Sequence, residues 1–245
     1  MREADRADAP GDRTHLFLGN SERRTTANRF PASLRPGDKT GAFGHRKRRT
    51  RHLYDISLTS RDHTPPDRFF LPGSGGIFRD LHVHDLDLIA WLTDSPIETV
   101  QATAQIRGEG PYAEFEDFDT TRIVTRTESG VLASICGSRH DARGHDVRLE
   151  VFGSKDAISA GINPRTPLHI LDDPGVLIDQ DPYTGFIDRF RTAFRSETRS
   201  FVDLVLGADN PCPPEAATES LRAAIACEIA VRDGGTITVR DVRDE

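Results

Sequence analysis

Asp80, His84, Asp87 and Trp91 carry the chain's most suggestive chemistry. On an α-helix they stand at i, i+4, i+7 and i+11 and share one face, so a carboxylate and an imidazole can meet one substrate. Imidazole trades a proton near neutral pH, and a neighbouring carboxylate can orient it or hold a hydroxyl; the pair suits general acid–base work. Spacing alone leaves a plainer alternative open, an ion pair one turn apart on a solvated face.

The elements around these residues are legible from period and punctuation. GIFRDLHVHDLDLIAWLTD places Ile77, Leu81, Leu88 and Leu92 on one face at helical spacing, flanked by Phe78 and Ile89, and predicts a helix over 76–92. Before it, HLYDISLTSRD reads as a strand and DHTPPDRFFLPGSGG as a loop. After it, Val100, Ala102, Ala104 and Ile106 alternate with polar residues, and DTTRIVTRT and VLASICG follow as strands joined by a turn at Ser129-Gly130. Val147, Leu149 and Val151 alternate with Arg148 and Glu150. The connections are short, so the sheet should be antiparallel. The last third predicts two helices, from Phe186 to a stop at Gly207 and from Pro213-Pro214 to Gly234, then a short TITV strand. A meander of strands beside grouped helices is α+β, not the strict alternation of a doubly wound nucleotide-binding sheet.

Other chemistries fit less well. His82-x-His84 followed by Asp85 and Asp87 resembles the start of some metal sites, but on a helix the two imidazoles point about 200° apart, and no metal site is expected. Gly73-Ser74-Gly75-Gly76 lacks the third glycine of a dinucleotide loop. Gly108-Glu109-Gly110-Pro111-Tyr112-Ala113 matches G-x-G-x-x-A, yet an acidic loop and a strand follow where a helix should receive the pyrophosphate. No cofactor-binding residue is therefore named. No G-x-S-x-G elbow offers an acyl nucleophile. Cys136, Cys212 and Cys227 are odd in number and widely spaced, which points to a reducing cytoplasm rather than a disulfide framework.

Charge divides the 245 residues unevenly. Residues 1–50 hold 12 Lys+Arg against 6 Asp+Glu, contain no Ile or Val, and read as a disordered or loosely docked head; the remainder holds 20 against 33. The basic run from His45 to Arg51 could suit nucleic acid, but the rest of the chain is acidic and no aromatics interleave with it, so a solvated tail is expected and no nucleic-acid partner. No apolar stretch approaches a membrane span, and no membrane partner is expected.

Gly75-Gly76-Ile77-Phe78-Arg79-Asp80-Leu81-His82-Val83-His84-Asp85-Leu86-Asp87 resembles the G-G-I-F-R-D-x-x-x-H-D-x-D signature of the Gfo/Idh/MocA oxidoreductases, particularly inositol 2-dehydrogenase-like members. The segments TSRDHTPPD (59–67) and VRLEVFGSK (147–155) and the tail from Phe190 to Val239 are similar to further family segments in the same order. The resemblance covers about residues 51–245 and implies the family's C-terminal substrate and oligomerisation domain. That domain is a large, mostly antiparallel sheet with helices on one face, the other face commonly serving homo-oligomer contacts. It implies NAD or NADP as cofactor and a polyol or sugar as substrate, oxidised at a CH–OH group. By position, it makes His84 the catalytic histidine and Asp80 its catalytic and substrate-binding partner. Relatives read Tyr-Gly-Tyr-Asp where this chain has Ala142-Arg143-Gly144-His145-Asp146, which assigns a substrate contact to His145.

The family's Glu-Lys-Pro lysine has no counterpart among Lys39, Lys47 and Lys155, and no strand–glycine-loop–helix unit is found. Two expectations follow. In the first, this is the substrate portion of a dehydrogenase, inactive alone for want of the cofactor domain. In the second, it is a non-catalytic binding or assembly module that pairs with itself or with a full-length relative.

Overall fold

Alternation of apolar and polar residues builds the sheet. In a computed structural model describing residues 52–168, 181–210 and 212–243, β1 (Leu53–Arg61) turns Ile56, Leu58 and Ser60 inward and Tyr54, Asp55, Ser57 and Thr59 outward. β3 (Thr120–Thr127) does the same with Thr121, Ile123, Thr125 and Thr127, β4 (Leu132–Ser138) with Ala133 and Ile135, and β5 (Asp146–Gly153) with Val147, Leu149 and Val151. With β2 (Ile97–Gln105), β6 (Ala157–Ala160) and the two-residue β7 (Ile237–Thr238), they form one seven-stranded sheet in the order β6-β5-β1-β4-β3-β2-β7. The expected basic head, with its His45–Arg51 run, lies outside the described residues.

Every neighbouring pair is antiparallel except one. β1 and β4 run parallel, Ser60 opposite Gly137 and Leu58 opposite Ile135. The sheet is thus mostly antiparallel, as expected; the one parallel pair arises because the chain leaves β1 through a helix, runs through β2 and β3 on the far side, and returns β4 beside β1 in the same direction. Parallel pairing of this kind needs a long crossover, and the 70 residues from Asp62 to Val131 supply it.

One face of the sheet is covered by helices. The loop after β1 contains one helical turn the sequence reading missed, α1 (Leu71–Ser74). A π-helical turn (Phe78–His82) then leads into α2 (Val83–Thr93). The predicted stripe is buried in full: Ile77, Phe78, Leu81, Leu88, Ile89 and Leu92 all join the core, each adding about 1.5–3 kcal/mol by leaving water. α5 (Pro214–Asp233) begins with its proline at the first helical position and packs on β2 and α2 through Ala223, Ala224, Ala226 and Cys227, small residues that permit close approach. The helix expected from Phe186 breaks at Phe190 into α3 (Phe186–Arg189) and α4 (Arg191–Val205). Phe190 and Ala193 are buried, whereas Phe186 and Phe201 stay largely exposed, so only part of that predicted apolar face is used.

Candidate functional site

The helix that carries Asp80 and His84 is set by backbone before it is set by side chains. Gly75 and Gly76 both adopt left-handed φ, 75° and 82°, which costs other L-residues strain. That turn aims the Ile77 N–H at Asp117 Oδ1 (2.8 Å), which also accepts from the Phe118 N–H. A Cβ on Gly76 would lie 3.3 Å from the same oxygen. The paired glycines of the signature thus let the chain close onto a capping carboxylate forty residues away.

The next turn is π-helical, a wide turn often found at functional sites. From it, neighbouring polar residues reach different strands. Asp80 Oδ2 accepts from Arg139 Nη1 at 2.9 Å, just past the end of β4. His82 is fully buried; its Nδ1 lies 2.9 Å from Asp85 Oδ2 and its Nε2 2.6 Å from Thr121 Oγ1 on β3. Ser60 Oγ donates to Asp85 Oδ1 at 2.6 Å. The imidazole lies over Gly137, where a Cβ would come within 2.2 Å of the ring. Ser60, Gly137 and Thr121 are register partners across β1, β4 and β3, so His82 and Asp85 lock α2 to one row of the sheet.

Arg139 is fully buried, its side chain 1% exposed. Besides its bond to Asp80, its Nη2 makes a charge contact with Asp117 Oδ2 at 3.0 Å, without hydrogen-bond geometry. Tyr112, also buried, belongs to the same electrostatic cluster: burial pushes its phenol up, Asp119, Asp117 and Asp62 add to the shift, and Arg139 opposes it. Asp80 remains partly open, its side chain 28% exposed, and so has protein beneath it and access above.

His84 lies on the first turn of α2 and is largely buried. His145 is buried too: its Nε2 is 3.5 Å from Asp62 Oδ1, its ring stands edge-on to Phe190, and its N–H donates to the Tyr183 carbonyl (2.7 Å). The Asp62 N–H donates to the Ser138 carbonyl, and Arg139 follows Ser138. His145 and Asp80 therefore converge on the same ends of β1 and β4. Asp87 is drawn elsewhere, accepting from Ser220 Oγ of α5, and Trp91 packs against the core. The four-residue face read from spacing is in this way divided between the site and helix packing.

Sequence reasoning weighed His82 and Asp85 only as metal ligands, and missed Ser60, Arg139 and Asp117. Gly137 inside a strand is the one local hint, since a glycine there often marks a close approach. A lone arginine after a strand carries none.

The arrangement places an anchored, partly exposed carboxylate and a largely buried imidazole four residues apart on one helix. Among the described residues no group of three His, Cys, Asp or Glu could hold a metal ion. Nor does the G-x-G-x-x-A segment fit a dinucleotide. Its Arg107 and Gly108 N–H groups both donate to the Asp119 carboxylate, where a phosphate would have to sit, and only a four-residue 3-10 turn (Tyr112–Phe115) follows.

Residues 47–159 match the family model described as the GFO/IDH/MocA C-terminal domain. The chain is 32% identical over 184 residues to myo-inositol dehydrogenase Hyg17 of Streptomyces leeuwenhoekii, covering 73% of this chain and 54% of the relative. It is 33% identical over 156 residues to myo-inositol 2-dehydrogenase of Thermotoga maritima, covering 64% and 46%. The crystal structure of a myo-inositol dehydrogenase from Corynebacterium glutamicum superposes with a TM-score of 0.73 at 30% identity, over 87% of this chain and 63% of that one. The chain spans about half the length of the curated relatives it matches.

Proposed function

The chain carries a C-terminal domain of the GFO/IDH/MocA family, and from that membership we propose that it is the substrate-binding portion of a NAD(P)-dependent oxidoreductase acting on a CH–OH group of a polyol or sugar, inositols first. The observation that carries this reading is Asp80, partly open to solvent and held from below by the buried Arg139, on the helix that also bears His84. Asp80 accepts hydrogen bonds from substrate hydroxyls, and His84 takes the proton of the reacting hydroxyl. His145 contacts the ring from the neighbouring loop. One relative is a NAD(+)-dependent scyllo-inositol 2-dehydrogenase of Bacillus subtilis; in this reading the nicotinamide is not held by Asp80, His84 or His145, and these residues bind the polyol.

Saturation-transfer NMR of the full chain with myo- and scyllo-inositol at tens of millimolar tests the reading. We expect transfer to ring protons in the wild type and a several-fold weaker signal in Asp80→Asn and His84→Ala, recorded below the melting temperature of each variant. Absence of transfer in the wild type, or equal transfer in both variants, would refute it.

The solvent face of the sheet is proposed to bind a second copy of the chain. It exposes Tyr54, Val124, Leu132 and Phe152, more apolar surface than scattered single residues provide. Three free thiols support a reducing, cytoplasmic setting, and no described helix is long and apolar enough to cross a membrane.

A further inference from the structure

Resting on the reading of Asp80 as a hydroxyl ligand, we infer that Arg139 is a positioning residue whose buried guanidinium fixes the direction of the Asp80 carboxylate and couples it to the start of the helix that carries it. Burying a guanidinium is costly, and apolar residues of similar volume often replace a buried ion pair without loss of stability. Stability alone therefore does not account for a fully buried arginine beside two aspartates.

Its geometry does. One arm of the planar fork donates to Asp80 Oδ2 (2.9 Å), and the other lies 3.0 Å from Asp117 Oδ2. Asp117 uses its other oxygen to receive the Ile77 N–H, the group that begins the helix. Carboxylate, guanidinium and helix start are thus linked in series by a hydrogen bond, a buried charge contact and a second hydrogen bond. The arginine backbone is tied as well, its N–H donating to the Asp119 carbonyl at 2.8 Å. A partly exposed aspartate without such a partner samples several rotamers, and ordering it on binding costs affinity. Lysine, a point charge without a fixed fork, cannot keep the directed bond to Asp80 and the charge contact with Asp117 from two separate nitrogens.

The test uses the full chain labelled with 13C and 15N. Three-bond couplings to the Asp80 carboxyl carbon report its χ1 rotamer, and inositol titrations report binding. Wild type should show a single Asp80 rotamer, Arg139→Gln a mixture, and Arg139→Lys a partial rescue. Asp85, on the same helix but held by Ser60 and His82, should keep its couplings in all three, whereas a merely structural arginine would loosen both aspartates together. Inositol affinity should fall about tenfold in Arg139→Gln, the scale of one charge-assisted hydrogen bond. An unchanged Asp80 rotamer in either variant, or unchanged affinity, overturns the inference. Should Arg139→Gln not fold, Arg139→Lys alone decides through the same couplings. Should wild type bind no inositol, the polyol reading fails by itself, and the Asp80 couplings still decide the role of Arg139.

Discussion

Replacing Gly137 by alanine adds one methyl group at the point where the helix meets the sheet. The new Cβ would lie 2.2 Å from His82 Cε1, 2.3 Å from Nε2 and 2.6 Å from Thr121 Oγ1, distances that atoms do not tolerate. His82 is fully buried and bonded at both ring nitrogens, so it cannot swing aside without losing partners. Overpacking of this size costs about 1–3 kcal/mol, and a lost His82–Thr121 hydrogen bond about 0.5–1.5. Gly137→Ala should therefore destabilise the chain by about 2–4 kcal/mol. For a domain of this length that lowers the melting temperature by roughly 4–16 °C. In a His82→Ala background both ring contacts are gone and only the approach to Thr121 Oγ1 remains, a hydroxyl no longer held by the imidazole, so most of the cost of Gly137→Ala should disappear. Urea melts of the four proteins of this double-mutant cycle, followed by circular dichroism, should give a coupling energy of at least about 2 kcal/mol. Equal costs for Gly137→Ala in the two backgrounds, or a single variant within about 0.5 kcal/mol of wild type, would refute the contact as the element that seats the helix.

Cys227 is fully buried in α5, and burial, with Glu228 beside it, pushes its thiol well above the ordinary value of 9.0; Tyr112 is shifted in the same direction from 10.0. Groups raised in the folded state keep their contribution below the unfolded value and lose it as pH rises, so stability should decline from about pH 9 upward. A stability flat from pH 8 to 11 would contradict this. In the native protein a thiol reagent should reach the half-buried Cys136 and Cys212 but modify Cys227 only at the rate of unfolding; three equally fast thiols would show the core to be open. Leu132→Lys and Phe152→Lys, on the solvent face of the sheet, should dissociate a self-associated wild type in sedimentation equilibrium while barely moving its melting temperature. A wild type that is monomeric at tens of micromolar, or variants that associate equally well, would exclude that face as the contact.

Much of this architecture is written in local pattern. Period-two alternation marks β1, β3, β4 and β5, and the stripe from Ile77 to Leu92 marks the main helix, because burial on one face repeats at the period of the element itself. Gly75-Gly76 and the residues to Asp87 also point to the family, since those glycines answer a backbone demand that other residues meet only at a cost.

What local pattern leaves open is partnership between distant residues. His82 and His84 differ by two positions and by nothing in composition, yet His82 is consumed in docking the helix to Ser60, Gly137 and Thr121, residues brought into one row by the parallel pairing of β1 with β4 and the antiparallel pairing of β4 with β3. Asp87 shares a helical face with Asp80 by count, but α5 supplies Ser220 and claims it. Arg139 reads as any arginine after a strand until the fold removes it from water between Asp80 and Asp117. Sequence by itself determined the main strands, the helix from Ile77 to Leu92 and the family resemblance, because those follow from periodicity and backbone preference; it left out the short turn at Leu71–Ser74 and the break at Phe190. The tertiary structure alone decided which charged and polar side chains face one another, because burial and pairing depend on contacts between segments far apart along the chain.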